Sequence, residues 1–144
     1  MELIMNLLNV FFGLNWTAIA VAAVASFVLG GLWFTVLFKK SYAVALGRQN
    51  DPPMKPAPIL IVGPFVCGVV TTLTSAILVP ALNIRSVADA LIFGSIVGIG
   101  YLASTTVNTA INPNIPRPLL YGLISGSYFL LSNLLVNVIL ISLQ

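Results

Sequence analysis

What constrains this chain most is where its charges are missing. Residues 3–38, 56–84, 90–116 and 118–144 contain no Asp, Glu, Lys or Arg, which leaves uncharged runs of 36, 29, 27 and 27 residues. About 20 consecutive apolar residues suffice for a helix to cross a hydrocarbon core of about 30 Å, so each run holds one crossing. A soluble domain has about a quarter of its residues charged; here 6% are charged and 59% are hydrophobic. No core built from 144 residues hides that much apolar surface from water. The sequence therefore predicts an all-α integral membrane protein, a four-helix transmembrane bundle of antiparallel, up-down topology, with residues 1–144 forming a single domain.

The breaks between runs set the expected spans. Residues 3–12 are apolar but include Asn6 and Asn9, and Gly13 separates them from the next apolar stretch. They read as an interfacial segment (1–13) or as an extra outer turn of the first span. No basic residue precedes Lys39, so a cleaved signal peptide is not expected. The first span is placed at 15–38, with Trp16 and Trp33 roughly 26 Å apart along a helix, a spacing that suits indole rings at the two interfaces. Lys39 and Lys40 end it. The segment 39–56 is a polar loop whose prolines favour an extended linker. The second span, 58–82, contains Pro64 and Pro80, either of which is a potential kink. Ser86 and Asp89 match the start signal of a third helix, 87–110, and the connection before it is so short that the second and third helices are expected to be antiparallel neighbours. Arg85 and Asp89, four apart, are expected to form a solvated pair. Asn112 to Pro118 is a strong break, and the fourth span fills 118–142.

Basic residues orient such a bundle, because loops rich in Lys and Arg stay in the cytoplasm. Loops 39–56 and 112–118 hold Lys39, Lys40, Arg48, Lys55 and Arg117, whereas the opposite side holds Arg85. The expected location is the cell (inner) membrane, multi-pass, with the loop 39–56 cytoplasmic and both termini non-cytoplasmic. A cysteine at position 45 should then be labelled from the cytoplasm and one at position 84 from the other side.

Helices in lipid associate by close backbone approach, which small residues permit. Ala18, Ala22, Ser26 and Gly30 form a stripe at steps of four in the first span, and Gly63, Cys67, Thr71 and Ser75 repeat the arrangement in the second. Gly94 and Gly98 in the third span and Gly122 and Gly126 in the fourth are GxxxG pairs. All are expected to pack helices, and one stripe is surplus to the seams that four helices make among themselves. The polar residues within the spans are weakly polar. Thr71, Thr105 and Thr106 can satisfy carbonyls of their own helices, whereas an unpaired asparagine is costly in an apolar medium. Asn108, Asn133 and Asn137, with Thr71, Thr105 and Thr106, are therefore the candidates for hydrogen bonds between helices or, as an alternative, for a polar path.

Much chemistry is excluded. Histidine is absent and Cys67 is the lone cysteine, so neither a thiolate or imidazole metal cluster nor a nucleophile activated by histidine can be assembled. The three acids, Glu2, Asp51 and Asp89, lie outside the spans or at their ends, which disfavours proton-coupled export through a buried acid. No catalytic residue, cofactor or metal site is expected, and the chain is not expected to be an enzyme. Four of the six basic residues share one loop beside an apolar helix, an orientation signal and not a nucleic-acid site.

Several stretches together resemble a known family. Asn15-Trp16, Gly30-Gly31-Leu32-Trp33-Phe34, Phe38-Lys39 and Tyr42 are similar to the first helix of domain-of-unknown-function family 1761, a group of small, mainly bacterial four-helix membrane proteins. Thr105-Thr106, Asn112, Arg117-Pro118, Gly126 and Tyr128 resemble its closing loop and helix. The chain departs from that pattern in having no glycine between Phe38 and Lys39 and no acid directly before Arg117. The resemblance implies the topology and a cell-membrane location, and it carries no mechanism. The expected partners are the lipid bilayer and a second copy or another membrane protein. The expected role is non-catalytic, through helix–helix association, with a small channel or facilitator for an ion or neutral solute as the alternative.

Overall fold

The computed structural model describes residues 1–52 and 55–144. Pro53 and Met54 of the proposed extended linker, and the side chain of Asn6, lie outside the described residues. Every described element is helical: α1 (Glu2–Phe12), α2 (Trp16–Leu32) continued by a π-helical segment (Trp33–Leu37), α3 (Lys39–Ala45), α4 (Ile59–Ala81), α5 (Val87–Val97) continued through a π-helical segment (Gly98–Ala103) into α6 (Ser104–Ala110), and α7 (Pro118–Ser142). Four stretches, Trp16–Leu37, Ile59–Ala81, Val87–Ala110 and Pro118–Ser142, are long and apolar enough to cross a membrane.

Local chemistry explains where these helices begin and end. The side chain of Asn15 accepts a hydrogen bond from the Ala18 N–H at 3.0 Å, satisfying a free donor of the first turn of α2. Ser86 does the same for Asp89 at 3.0 Å and donates to its carboxylate at 2.7 Å. This bond removes Asp89 from the expected pair with Arg85, whose guanidinium donates instead to Asn83 Oδ1 at 2.9 Å. Asn83 itself sits at φ 59°, a conformation that asparagine tolerates better than most residues. Pro118 opens α7, where its missing N–H is no loss. α4 runs through Pro64 and Pro80 as one helix. α1 is a helix of its own and packs against α4; Gly13 ends it before α2 begins.

The bundle is centred on α7. About 44% of its membrane-length window is buried, against 17–22% for the other three spans. α2 and α4 pack on each other and on α7, while the third span, α5 through α6, packs on α7. The expectation that the second and third spans would be neighbours along their length is corrected here. α4 and α5 meet only beside their short connection, where Val79, Ile84 and Ala90 are buried together. A short turn fixes two helix ends, not two helix axes. The rest of the third span instead takes the ridge of α7, whose leucines fill its glycine notches. The main apolar cluster, Leu14, Ala18, Ile19, Ala22, Ala76, Val136 and Leu140, lies where α2, α4 and α7 converge. Ala45 and Ile84 are themselves buried, so exposed Gln49 and Leu82 are better labelling positions.

Candidate functional site

α7 makes two seams of different chemistry. Against the third span the seam is steric and reciprocal. A methyl group on Gly98 would stand 2.7 Å from Leu130 Cδ1 and 3.2 Å from Leu130 Cα, and one on Gly94 would stand 3.1 Å from Leu134 Cδ2. In return, a methyl on Gly122 would stand 3.0 Å from Val107 Cγ2, and one on Gly126 would stand 3.5 Å from Ala103 Cβ. Each GxxxG pair is thus a notch for the other helix. Asn133 lies on the same seam and donates to Gly94 O at 2.8 Å. Asn137 donates to Asn133 O at 2.7 Å, and its own Oδ1 is buried without a donor.

Against α2 the seam is polar and aromatic. Ser26 and Ser132 hydroxyls meet at 2.7 Å, deep in the bundle. Asn15 Nδ2 donates to Leu143 O at 2.7 Å at one end, and Trp33 Nε1 donates to Ile124 O at 3.0 Å toward the other. Rising residue numbers on α2 are therefore matched with falling numbers on α7. Tyr128 fills the notch at Gly30, where an added methyl would stand 2.8 Å from its hydroxyl. Trp33 is half-buried, and its indole N–H is bound to the backbone of α7. Its bond falls where α2 changes from α to π winding, with Phe38 N–H reaching Trp33 O at 2.8 Å across five residues.

Beyond Trp33 the aromatic rings continue as a chain. Phe34 packs against Tyr42 at 4.8 Å and Tyr128 at 5.1 Å, Tyr42 against Tyr121 at 5.6 Å, and Tyr128 against Phe129 at 5.0 Å. α3 is held in this corner by its backbone: Arg117 N–H donates to Ala45 O at 3.3 Å, and Arg48 N–H to Ala43 O at 2.8 Å. Gly47, at φ 70°, lies so near Pro116 that an added methyl would stand 3.0 Å from Cγ; both backbone angle and space require glycine there. Burial, with Tyr121 beside it, pushes the Tyr42 phenol well above its ordinary value, and nearby Arg48 opposes that shift. Tyr42 is a neutral hydrogen-bonding group at physiological pH.

Beside this corner, a groove of about 340 Å³ runs between the third span and α7, lined by Tyr101, Leu102, Thr105, Thr106, Thr109, Tyr121 and Phe129. Thr106 donates to Leu102 O at 2.7 Å and Thr109 to Thr105 O at 2.9 Å, which turns these two hydroxyls back to their own helix. Ser125, between Tyr121 and Phe129 on α7, is buried with its hydroxyl unpartnered.

The residues singled out from sequence thus separate into three groups. Ala18 and Ala22 are in the core, and Ser26, Gly30, Gly94, Gly98, Gly122, Gly126, Asn133 and Asn137 are in the seams of α7. Thr105 and Thr106 line the groove. The others are not brought together: Asn108 is exposed, Cys67 is exposed, Thr71 donates to Cys67 O in its own helix, and a methyl on Gly63 would meet only Ile59 of that helix. Sequence reasoning missed the two π segments and the tyrosine corner. A readable signal existed for the groove: Tyr101, Thr105 and Thr109 on one helix and Tyr121, Ser125 and Phe129 on another are each spaced by four.

No curated protein and no solved structure matches the chain. A family model described as a protein of unknown function, DUF1761, matches residues 17–141. That match takes in nearly all of every span and both seams of α7, and the chain belongs to the DUF1761 family.

Proposed function

We propose that this protein is a non-catalytic membrane protein that works by helix–helix association, with a second copy docking on the outer face of α4. The observation that carries this reading is the inequality among the small-residue stripes. The stripe positions Gly30 on α2, Gly94 on α5 and Gly122 on α7 are filled by neighbours within the chain, whereas a methyl on Gly68 would meet nothing within 4 Å; Gly31 and Gly100 are open too, but neither belongs to a four-step small-residue stripe. Cys67 beside it is exposed, as are Val62, Val66 and Val70. Small residues flanked by β-branched ones let two helix backbones approach closely in lipid. Asn133 and Asn137, residues a solute path would draw on, are buried, with Asn133 bonded to Gly94 O on the third span and Asn137 bonded to Asn133 O, so association is favoured over a channel.

The test is oxidative cross-linking of Cys67 in native membranes. The expected product is a disulfide-linked dimer that disappears in Cys67→Ser and is strongly reduced in Gly68→Leu. A protein that stays monomeric in lipid at all concentrations and gives no Cys67 adduct overturns the reading; an adduct with a different membrane protein replaces the second copy by that partner. In the accompanying topology, loops 39–56 and 112–118 lie in the cytoplasm of a cell-membrane protein with four alternating crossings. Single cysteines at Gln49 and Leu82, in a Cys67→Ser background, should be labelled by an impermeant reagent from opposite sides.

A further inference from the structure

The geometry points to a binding site for one anionic membrane lipid, with its chain along the groove between α6 and α7 and its phosphate between Arg48 and Arg117. The site is separate from the α4 face, since no residue of α4 lines the groove.

Three features meet there. The first is a wall that suits a hydrocarbon chain. With the hydroxyls of Thr106 and Thr109 bonded back to their own helix, these side chains offer mainly methyl groups, and Leu102, Tyr101 and Phe129 complete an apolar channel. From Tyr101 to Thr109 it extends about 12 Å along the helix, from the second π segment to the end of the bundle that carries α3.

The second is a pair of arginines whose main chains are fixed near each other at that same end. Arg117 is tied to α3 through Ala45 O, Arg48 follows α3 directly through Ala43 O, and Gly47 seated on Pro116 locks the two loops together. Both arginines are exposed. Guanidinium forks match the oxygens of a phosphate better than any other side chain does.

The third is a phenol at the junction of chain and headgroup. Tyr121 lines the groove and packs on Tyr42, and Tyr42 in turn stands close to Arg48. The two phenols mark the step from apolar channel to charged mouth, where a lipid's glycerol and phosphate oxygens need donors. Lys39 and Lys40 also lie at this end but on the opening turn of α3, away from the Gly47–Pro116 lock, so the site distinguishes two of the basic residues from the rest.

The full-length protein in a neutral detergent is titrated with phosphatidylglycerol or phosphatidylcholine, and lipid retention is read by native mass spectrometry alongside the unfolding temperature. Phosphatidylglycerol should be retained and should raise that temperature; phosphatidylcholine should do neither. Arg48→Gln with Arg117→Gln should weaken phosphatidylglycerol binding on the order of tenfold, whereas Lys39→Gln with Lys40→Gln should change it less than about twofold. Thr105→Trp, at an exposed position of the groove, should weaken binding at least about fivefold without lowering the lipid-free unfolding temperature. Equal losses from the lysine and arginine pairs would reduce the site to diffuse surface attraction and overturn it. Unchanged binding by Thr105→Trp would remove the chain from the groove and overturn it as well. Competition by inorganic phosphate or glycerol phosphate at concentrations similar to the lipid would show a free-anion site in its place.

Discussion

α4 and α7 are close to equivalent in sequence, yet they occupy opposite positions in the fold. They have 23 and 25 residues, both are uncharged and mainly apolar, and both carry small residues at four-residue steps. α7 is the hub that touches each of the other spans; the first half of α4 faces outward. The difference lies in what stands opposite. Gly94 and Gly98 are closed by Leu134 and Leu130, Gly30 by Tyr128 and Gly122 by Val107, so at these four glycines of α7 and its neighbours a larger side chain fills the notch. α4 has a notch at Gly68 and no ridge to fill it. A small-residue stripe permits close packing but does not select the partner.

Polar side chains divide along the same line. On α7 two of them reach neighbouring helices, Ser132 to Ser26 and Asn133 to Gly94, while Ser127 and Asn137 bond within α7. The threonines of α4 look inward to their own backbone: Thr71, Thr72 and Thr74 each donate to the carbonyl four residues earlier, at 2.8–2.9 Å. A hydroxyl can close on its own helix in this way, whereas the amide of Asn133, with more donors and acceptors to satisfy, reaches Gly94 O on the third span.

The strongest way to break this comparison is at the glycines. Gly98→Leu should destabilise the protein by about 1–3 kcal/mol, because the backbone of Leu130 is only 3.2 Å from where the new Cβ would stand. Gly68→Ala should be neutral or stabilising by up to about 1 kcal/mol through helix propensity. Thermal unfolding of both variants in one detergent reads the contrast, and similar losses would mean that the α4 notch is occupied after all.

A smaller contrast concerns the polar groups. Asn133→Leu should cost about 1–2 kcal/mol by removing the bond to Gly94 O and its link to Asn137, while Thr72→Val, which removes only a bond within one helix, should stay within about 0.5 kcal/mol. Denaturation by increasing SDS fraction measures the two side by side. The smallest expected effect sharpens the outward-looking role of Ser132. A double-mutant cycle of Ser26→Ala and Ser132→Ala should give a coupling near 0.6 kcal/mol, typical of hydrogen bonds between membrane helices. A cycle of Thr72→Val and Ser132→Ala should give none.

Much of this was legible in the sequence. The ends of the spans followed from Lys39, the Asn83–Ser86 turn and the prolines around Arg117, because charge and backbone breaks act locally and do not wait for a partner. The cap at Ser86 and the placement of Asn133 and Asn137 on one face of α7 were readable for the same reason. The groove was half legible: Thr105 and Thr106 stood out as polar, but Tyr101, Tyr121 and Phe129 read only as ordinary apolar bulk until two helices brought them together.

By itself, then, the sequence determined that this chain forms four membrane-length helices and where each begins. Which stripe meets which helix was decided by the tertiary structure alone. The period of a helix places small residues on one face, but in lipid every apolar face is equally at ease, so hydropathy does not rank the possible seams. Shape complementarity does, and it resides in pairs such as Gly98 with Leu130 and Gly30 with Tyr128, whose members are distant in sequence. The same holds for the π segments and for the corner that sets Arg48 beside Arg117. Both depend on contacts between segments, Trp33 with Ile124 O and Ala45 O with the Arg117 N–H, that no local pattern encodes.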